Sequence, residues 1–366
     1  DINLGAFVQN RFDLTDDLFL TGAVRIDGNS AFGINYGFQV YPKADVAYNI
    51  PTASIPVVSS AKLRGAWGMA GKAPGAFASF QTYTPNTVLE DLAGVRPSNP
   101  GNDMLEPENK VEKEIGIDLG LFNDRVGIVS TYYHATTKNA LLGIALPPSE
   151  GFSSSQQRNV GEILNHGFEL AFNATALDLG FLRWQTGINY EWNENEIIDL
   201  GSTAYADSIP VYASNMENGA CNSAATCNVV DRWIMVQRLG GYREGYPIGA
   251  IFRRGVIGWD PATRGHVRTT YNPFWGQSYP GHMASLFNDF AIGNSLRLGV
   301  QVRGEWGASM VNSDRGYGVR QLAYDEYLQH LGSGGTTTAA SDSTLNYHRL
   351  GYPVDSRDNI RVQEVT

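Results

Sequence analysis

From Leu18 to Asp27 the chain changes character at every residue. Leu18, Leu20, Gly22, Val24 and Ile26 fall on one side, and Phe19, Thr21, Ala23, Arg25 and Asp27 on the other. Ser295 to Trp306 repeats the arrangement, with Leu296, Leu298, Val300, Val302 and Trp306 opposite Arg297, Gln301, Arg303 and Glu305. A period of two belongs to a β-strand, whose side chains point alternately to the two faces of a sheet, so each segment has one apolar and one polar face. Strands of soluble sandwiches are usually about five or six residues long, whereas these segments run about ten or more. Long two-faced strands are the mark of a transmembrane β-barrel.

The same pattern predicts eleven strands, at 3–12, 18–27, 37–50, 61–68, 111–122, 126–138, 167–177, 182–198, 283–291, 295–306 and 360–366. The connections between them alternate in length. Those at 13–17, 51–60, 123–125, 178–181 and 293–294 are the shorter ones, and 28–36, 69–110, 139–166, 199–282 and 307–359 the longer. An up-and-down barrel sorts such connections, placing long loops outside the cell and tight turns at the periplasmic rim. Asn123-Asp124 and Gly293-Asn294 suit tight turns because they tolerate positive φ. A helical period is sustained nowhere beyond about two turns; the best short helix is 321–331, inside a loop. A soluble propeller or β-helix would show a repeat of about 40–50 residues or shorter, and none is present. The expected fold is therefore all-β: an antiparallel up-and-down transmembrane β-barrel with long extracellular loops, of which about eleven strands lie in this chain.

The polar faces of these strands carry the residues expected to line the lumen: Arg25, Asp27, Arg64, Glu112, Glu114, Asp118, Glu169, Arg297, Arg303 and Glu305. Opposite them, Trp67, Tyr48, Trp184, Trp192 and Trp306 lie near strand ends, where an interfacial girdle belongs. Composition fits: 17% charged residues, 11% aromatic residues and 41 glycines are expected where half of each strand faces lipid and turns are frequent. A net charge of −10 argues against nucleic acid as a partner. No apolar run reaches the 18 residues of a transmembrane helix. That does not weigh against a barrel, whose strands average out to a mean hydropathy such as the −0.24 found here. The chain begins in mid-pattern at Asp1-Ile2-Asn3-Leu4, without the basic and apolar regions of a signal peptide. Either such a segment has been removed or the chain is a piece of something longer.

Several stretches resemble SusC/RagA-like TonB-dependent outer-membrane transporters. They are Leu20 to Gly33, Ala61 to Gly68, Asn99-Pro100-Gly101-Asn102 ahead of Leu105-Glu106-Pro107-Glu108, and Glu114 to Arg125. The most specific runs from Gly151-Phe152-Ser153 through Asn159-Val160-Gly161 to His166-Gly167-Phe168-Glu169-Leu170. The resemblance covers nearly the whole chain in order and spacing. It implies uptake of an oligosaccharide or peptide through a plugged barrel in the outer membrane. It further implies a plug domain, the TonB energy-transducing complex and a SusD-like surface lipoprotein as partners, and neither cofactor nor metal. Family members have a plug and about twenty-two strands, so residues 1–366 correspond to an internal part of the barrel domain, with plug and terminal strands absent. An isolated piece should form an open, curved half-barrel sheet, or a strained closure, whose two edges would pair with strands absent from this sequence. The segment Ala262-Thr263-Arg264-Gly265 departs from the acidic sequence that many relatives carry there. A passive porin-like or adhesive barrel is the competing reading. An enzyme is disfavoured, since no catalytic constellation stands out.

The loop 199–282 is dense in aromatics, and flat rings stack on sugars or on apolar peptide side chains. Trp233, Tyr242, Tyr246, Trp259, Trp275 and Tyr279 are the candidate substrate contacts, with packing of the loop itself as the plainer role. Cys221 and Cys227 read as a disulfide closing a small extracellular ring. Metal binding competes, but no histidine or second cysteine pair is nearby. The six histidines are scattered and match no ligand spacing.

Overall fold

The computed structural model describes residues 2–32, 37–88, 92–146, 148–152, 155–200, 233–237, 240–252, 256–260, 265–268, 274–311 and 354–365. Eleven strands form one sheet: β1 (Asn3–Asp13), β2 (Leu18–Asn29), β3 (Gln39–Asn49), β4 (Val58–Lys72), β5 (Glu108–Leu121), β6 (Val126–Lys138), β7 (Glu162–Asp178), β8 (Leu182–Asp199), β9 (His282–Ile292), β10 (Leu296–Trp306) and β11 (Asn359–Val365). Their order in space is their order in sequence, every neighbouring pair is antiparallel, and β1 and β11 form the two edges. Connections therefore fall alternately at the two ends. The strand ends that flank 14–17, 50–57, 122–125, 179–181 and 293–295 lie at one rim, and those that flank 30–38, 73–107, 139–161, 200–281 and 307–358 lie at the other. Left-handed backbone makes the tight turns: Phe122, Asn123 and Asp124 at φ 55–59°, Gly180 at 78° and Gly293 at 57°.

Several strands run further toward the long loops than the alternation suggests. β4 continues to Lys72, β5 starts at Glu108 and β7 at Glu162. About 9–11 residues suffice to cross a bilayer, while β7 has 17 residues and β8 has 18. Above the lipid neither face needs to be apolar, so backbone pairing persists where the two-faced pattern has faded. The long connections hold further hairpins that the pattern left as loop. They pair Thr82–Val88 with Leu92–Asn99, and Leu141–Ala145 with Ser155–Asn159. Cys221, Cys227 and the segment 321–331 lie outside the described residues.

Apolar side chains on the sheet stay open: Ile115 is 64% exposed, Leu296 56% and Ile360 69%. Side chains packed as in a protein interior lie instead near the long-loop rim, where Ala140, Leu142, Ile144, Val160, Ile197 and Leu200 form one cluster. Hydrogen bonds stitch the 73–107 connection to this cluster. Asn159 Oδ1 accepts from the Glu106 amide at 2.8 Å, and its Nδ2 donates to the carbonyls of Glu106 (2.8 Å) and Asn139 (3.0 Å). Asn139 Nδ2 donates to Glu106 Oε2 at 2.7 Å, the Leu141 amide to Glu108 Oε1 at 2.8 Å, and Asn102 Nδ2 to the Gln157 carbonyl at 3.0 Å. The stretches 99–108 and 155–161 are thus two halves of one structural junction. Asn159→Leu removes three bonds at once and should loosen it by about 2–4 kcal/mol. Hydrogen exchange at residues 104–108 and 139–145 should accelerate about a hundredfold, and unchanged protection would contradict this role.

Candidate functional site: the inward face and the long-loop rim

Cross-strand partners share a face, so the register can be followed from strand to strand. Arg25 lies opposite Tyr41, Lys43 opposite Gly68, Gly68 opposite Glu112, and Lys62 opposite Asp118. Further round, Arg64 opposes Gly116, Gly116 opposes Thr131, Thr131 opposes Glu169, and Glu169 opposes Glu191. Glu191 then opposes Met283, and Met283 opposes Glu305. Together with alternation along each strand, this puts all ten sequence-selected residues, Arg25, Asp27, Arg64, Glu112, Glu114, Asp118, Glu169, Arg297, Arg303 and Glu305, on one side. Leu296, Leu298, Val300 and Val302 lie on the other. The polar side is hollowed: a depression of about 370 Å³ is lined by Thr131, Glu169, Asn189, Glu191, Ser285 and Arg303, among others.

Within this face the charges largely satisfy one another. Residues two apart on a strand pair as Arg25–Asp27 (2.6 Å), Lys43–Asp45 (3.5 Å), Arg303–Glu305 (3.1 Å) and Lys110–Glu112. Arg64 extends across Gly116 to a second strand. Its Nε meets Asp118 Oδ1 at 3.0 Å and its Nη2 donates to Thr131 Oγ1 at 2.5 Å. A Cβ at residue 116 would stand 2.8 Å from the guanidinium carbon, so glycine is what lets the arginine cross. Lys62 completes the group at 3.1 Å from Asp118 Oδ2. Glu169 and Glu191 are different. They face each other directly across β7 and β8 and form no ion pair among the described residues, an arrangement that costs stability unless something cationic approaches.

The aromatic candidates divide. Tyr246 packs on Phe274 with ring centroids 5.2 Å apart, while Trp275 and Tyr279 are exposed beside it. Trp233 and Tyr242 sit on a hairpin of 233–237 with 240–243, and Trp259 opposes His266 on another hairpin. The side chains of those three lie outside the described residues. Sequence reasoning missed Phe77, Phe80 and Tyr83, all exposed on the 73–107 connection. Two phenylalanines within Gly75-Ala76-Phe77-Ala78-Ser79-Phe80 were a usable signal, because loops that serve only as connections are usually polar. Phe77 also holds a left-handed backbone, at φ 61°. Among the described residues no cluster of His, Cys, Asp or Glu could hold a metal ion.

The comparisons agree with this geometry. The family model described as TonB dependent receptor-like, beta-barrel matches residues 2–363. TonB-dependent receptor P39 of Formosa agariphila is 29% identical over 194 residues, covering 52% of this chain and 19% of that protein. TonB-dependent receptor P26 of the same organism is 28% identical over 213 residues, covering 56% and 21%. The chain thus matches about a fifth of the length of these relatives. Among solved structures, the RagAB peptide importer in its closed-closed state superposes with a TM-score of 0.74 at 18% identity, over 99% of this chain and 40% of that one. A second RagAB structure, of the peptide transporter, gives 0.69 at 21% identity, over 86% and 34%. With an eleven-stranded sequential sheet, a polar concave face and a family match over nearly its whole length, the chain belongs to the TonB-dependent receptor-like β-barrel family of the outer membrane.

Proposed function

We propose that this chain is part of the wall of a barrel that takes up a large nutrient, an oligosaccharide or a peptide, across the outer membrane by a TonB-dependent route. The carrying observation is the inward face, where a continuous polar surface stands opposite an apolar one. In this reading that face lines the lumen and meets a plug domain supplied by sequence beyond residues 1–366. The unpaired Glu169 and Glu191 receive cationic groups of the plug or its cargo, where a desolvated charge-assisted contact is stronger than in water. The plug, pulled by the TonB complex, opens a passage along the polar wall. At the other rim the exposed rings of Trp275 and Tyr279, with Tyr246 behind them, take part in capturing substrate. A SusD-like surface lipoprotein shares that capture. No catalytic step is assigned to any residue.

Energy dependence separates this reading from a passive pore. Cells producing the natural protein that contains this chain would be offered fluorescent peptide and oligosaccharide pools, with and without a protonophore. Uptake of one pool should fall about tenfold or more when the proton gradient is collapsed, because the plug can then no longer be pulled. Uptake that continues undiminished would instead identify a porin-like barrel.

A further inference from the structure

The outward face carries a second pattern that its apolar character does not require. On β6, β7 and β8 it bears the aromatic residues Tyr132, Phe168 and Trp192, which are cross-strand neighbours in that order. Two positions nearer the long loops, the same face bears His134, His166 and Glu194, again as direct neighbours, and β5 adds Lys113 opposite His134. Below the aromatic level the outward positions of these strands are uncharged: Ile117, Ser130, Leu170 and Tyr190, then Leu119, Ile128, Phe172 and Ile188. An aromatic belt marks the headgroup level of a membrane, and two residues of strand add about 6–7 Å. The row of Lys113, His134 and His166 is therefore held where outer-leaflet lipids carry their phosphates, directly above the wall against which their acyl chains lie.

The three residues stand side by side on one face: Lys113 is the direct cross-strand neighbour of His134, and His134 of His166. Their Cβ atoms are spaced as directly opposed pairs, about 5 Å apart from strand to strand. The His134 and His166 rings stack with centroids 6.4 Å apart, and the edge of His166 meets Trp192 at 5.5 Å. His166 Nδ1 is buried without a hydrogen-bond partner, which leaves Nε2 as the nitrogen that can reach a ligand. That nitrogen lies 3.8 Å from Glu194 Oε2, beyond hydrogen-bonding distance. Lys113 and His134 are exposed; the outward carboxylates next to the row, Glu194 and Glu196, are on β8, and the outward Glu162 of β7, four residues from His166, lies 3.8 Å from Lys138. Sequence spacing could not show this grouping, since His134 and His166 stand on different strands with a long connection between them.

We infer that Lys113, His134 and His166 form an outward-facing site for the phosphorylated headgroup of an outer-leaflet lipid. The phosphoryl oxygens accept from the lysine ammonium and from the two imidazoles, while Glu194 sets the limit of the site on the β8 side. The occupant is a lipid rather than free phosphate because the site opens onto the acyl-chain wall, with the Tyr132–Phe168–Trp192 belt between them to take the glycolipid backbone.

The test uses the detergent-purified natural protein, stripped of lipid and then offered monophosphoryl lipid A, its dephosphorylated form, or inorganic phosphate. Bound adducts are counted by native mass spectrometry. Wild-type protein should retain the phosphorylated lipid about tenfold better than the dephosphorylated one, and the triple variant K113Q/H134Q/H166Q should lose that preference. Glu194→Gln removes the competing carboxylate and should raise retention severalfold, a gain that misfolding cannot imitate. Equal retention of the two lipids by wild-type protein would overturn the site. So would an unchanged preference in the triple variant, or inorganic phosphate binding with the same dependence on the three residues.

Discussion

Replacing Ile188 by arginine should cost the assembled barrel about 2–4 kcal/mol, and replacing its neighbour Asn189 by arginine less than about 1 kcal/mol. The two residues are adjacent on β8 and differ only in the face they occupy. Ile188 stands midway between Trp184 and Trp192 on the outward face, and Trp184 stacks on Phe290 at 5.6 Å. Eight residues of strand span about 27 Å, or about 21 Å along the membrane normal at the usual tilt, close to the roughly 25 Å apolar band of an outer-membrane barrel. Ile188 is thus at mid-membrane, where an arginine has no water and must deform lipid to find any. Asn189 lines the inward hollow, with Glu191 two residues on, so an arginine there meets water and a carboxylate. Denaturant titration of the complete barrel in phosphatidylcholine vesicles measures both. Similar costs for the two substitutions would show that the faces are wrongly assigned, since a one-residue slip exchanges them.

That assignment was legible in the sequence because lipid and lumen make opposite demands on alternate residues. Leu296, Leu298, Val300 and Val302 against Arg297, Gln301 and Arg303 leave one register for β10. Order and pairing followed as well, because alternating connection lengths have one simple antiparallel solution. Legibility failed above the membrane. Near Asn165, His166 and Glu196 the strands are polar on both faces, and the hairpins of the long connections are held by side chains such as Asn159 rather than by period. The ionisable row outside the barrel was hidden for a different reason: Lys113, His134 and His166 become neighbours only through pairing across three strands. The loop aromatics were visible as a class, but which of them meet a substrate depends on loop packing that no periodicity encodes. For that reason Trp275 and Tyr279 are placed in the open while Phe77 and Phe80 were overlooked.

The second large effect is expected at Gly161, where the junction of the long loops meets the start of β7. Two independent constraints fall on this residue. Its φ is +82°, a region that β-branched side chains scarcely adopt, and a Cβ would lie 2.0 Å from the Asp199 carbonyl oxygen. Its own carbonyl accepts from the Ala140 amide, and the adjoining Val160 is buried with Ile197 and Leu200 in the cluster. Gly161→Val must therefore twist the backbone and push the end of β8 away. Strain of about 1–3 kcal/mol adds to lost packing of similar size, for a total of roughly 3–5 kcal/mol. Because the membrane-embedded lengths of β7 and β8 are paired well below this point, the wall itself should still assemble and keep its heat-resistant mobility on electrophoresis. The loops should not stay docked: protease added to intact cells should cut between residues 139 and 161 at least about tenfold faster, and substrate capture should fall with them. Gly151→Val separates steric from general effects. That glycine also has positive φ, at 79°, but nothing lies within 4 Å of its Cβ position. It should therefore show the strain cost alone, about 1–2 kcal/mol. If Gly161→Val were cut no faster than wild type, the junction would be dispensable and the loops would be held by other contacts.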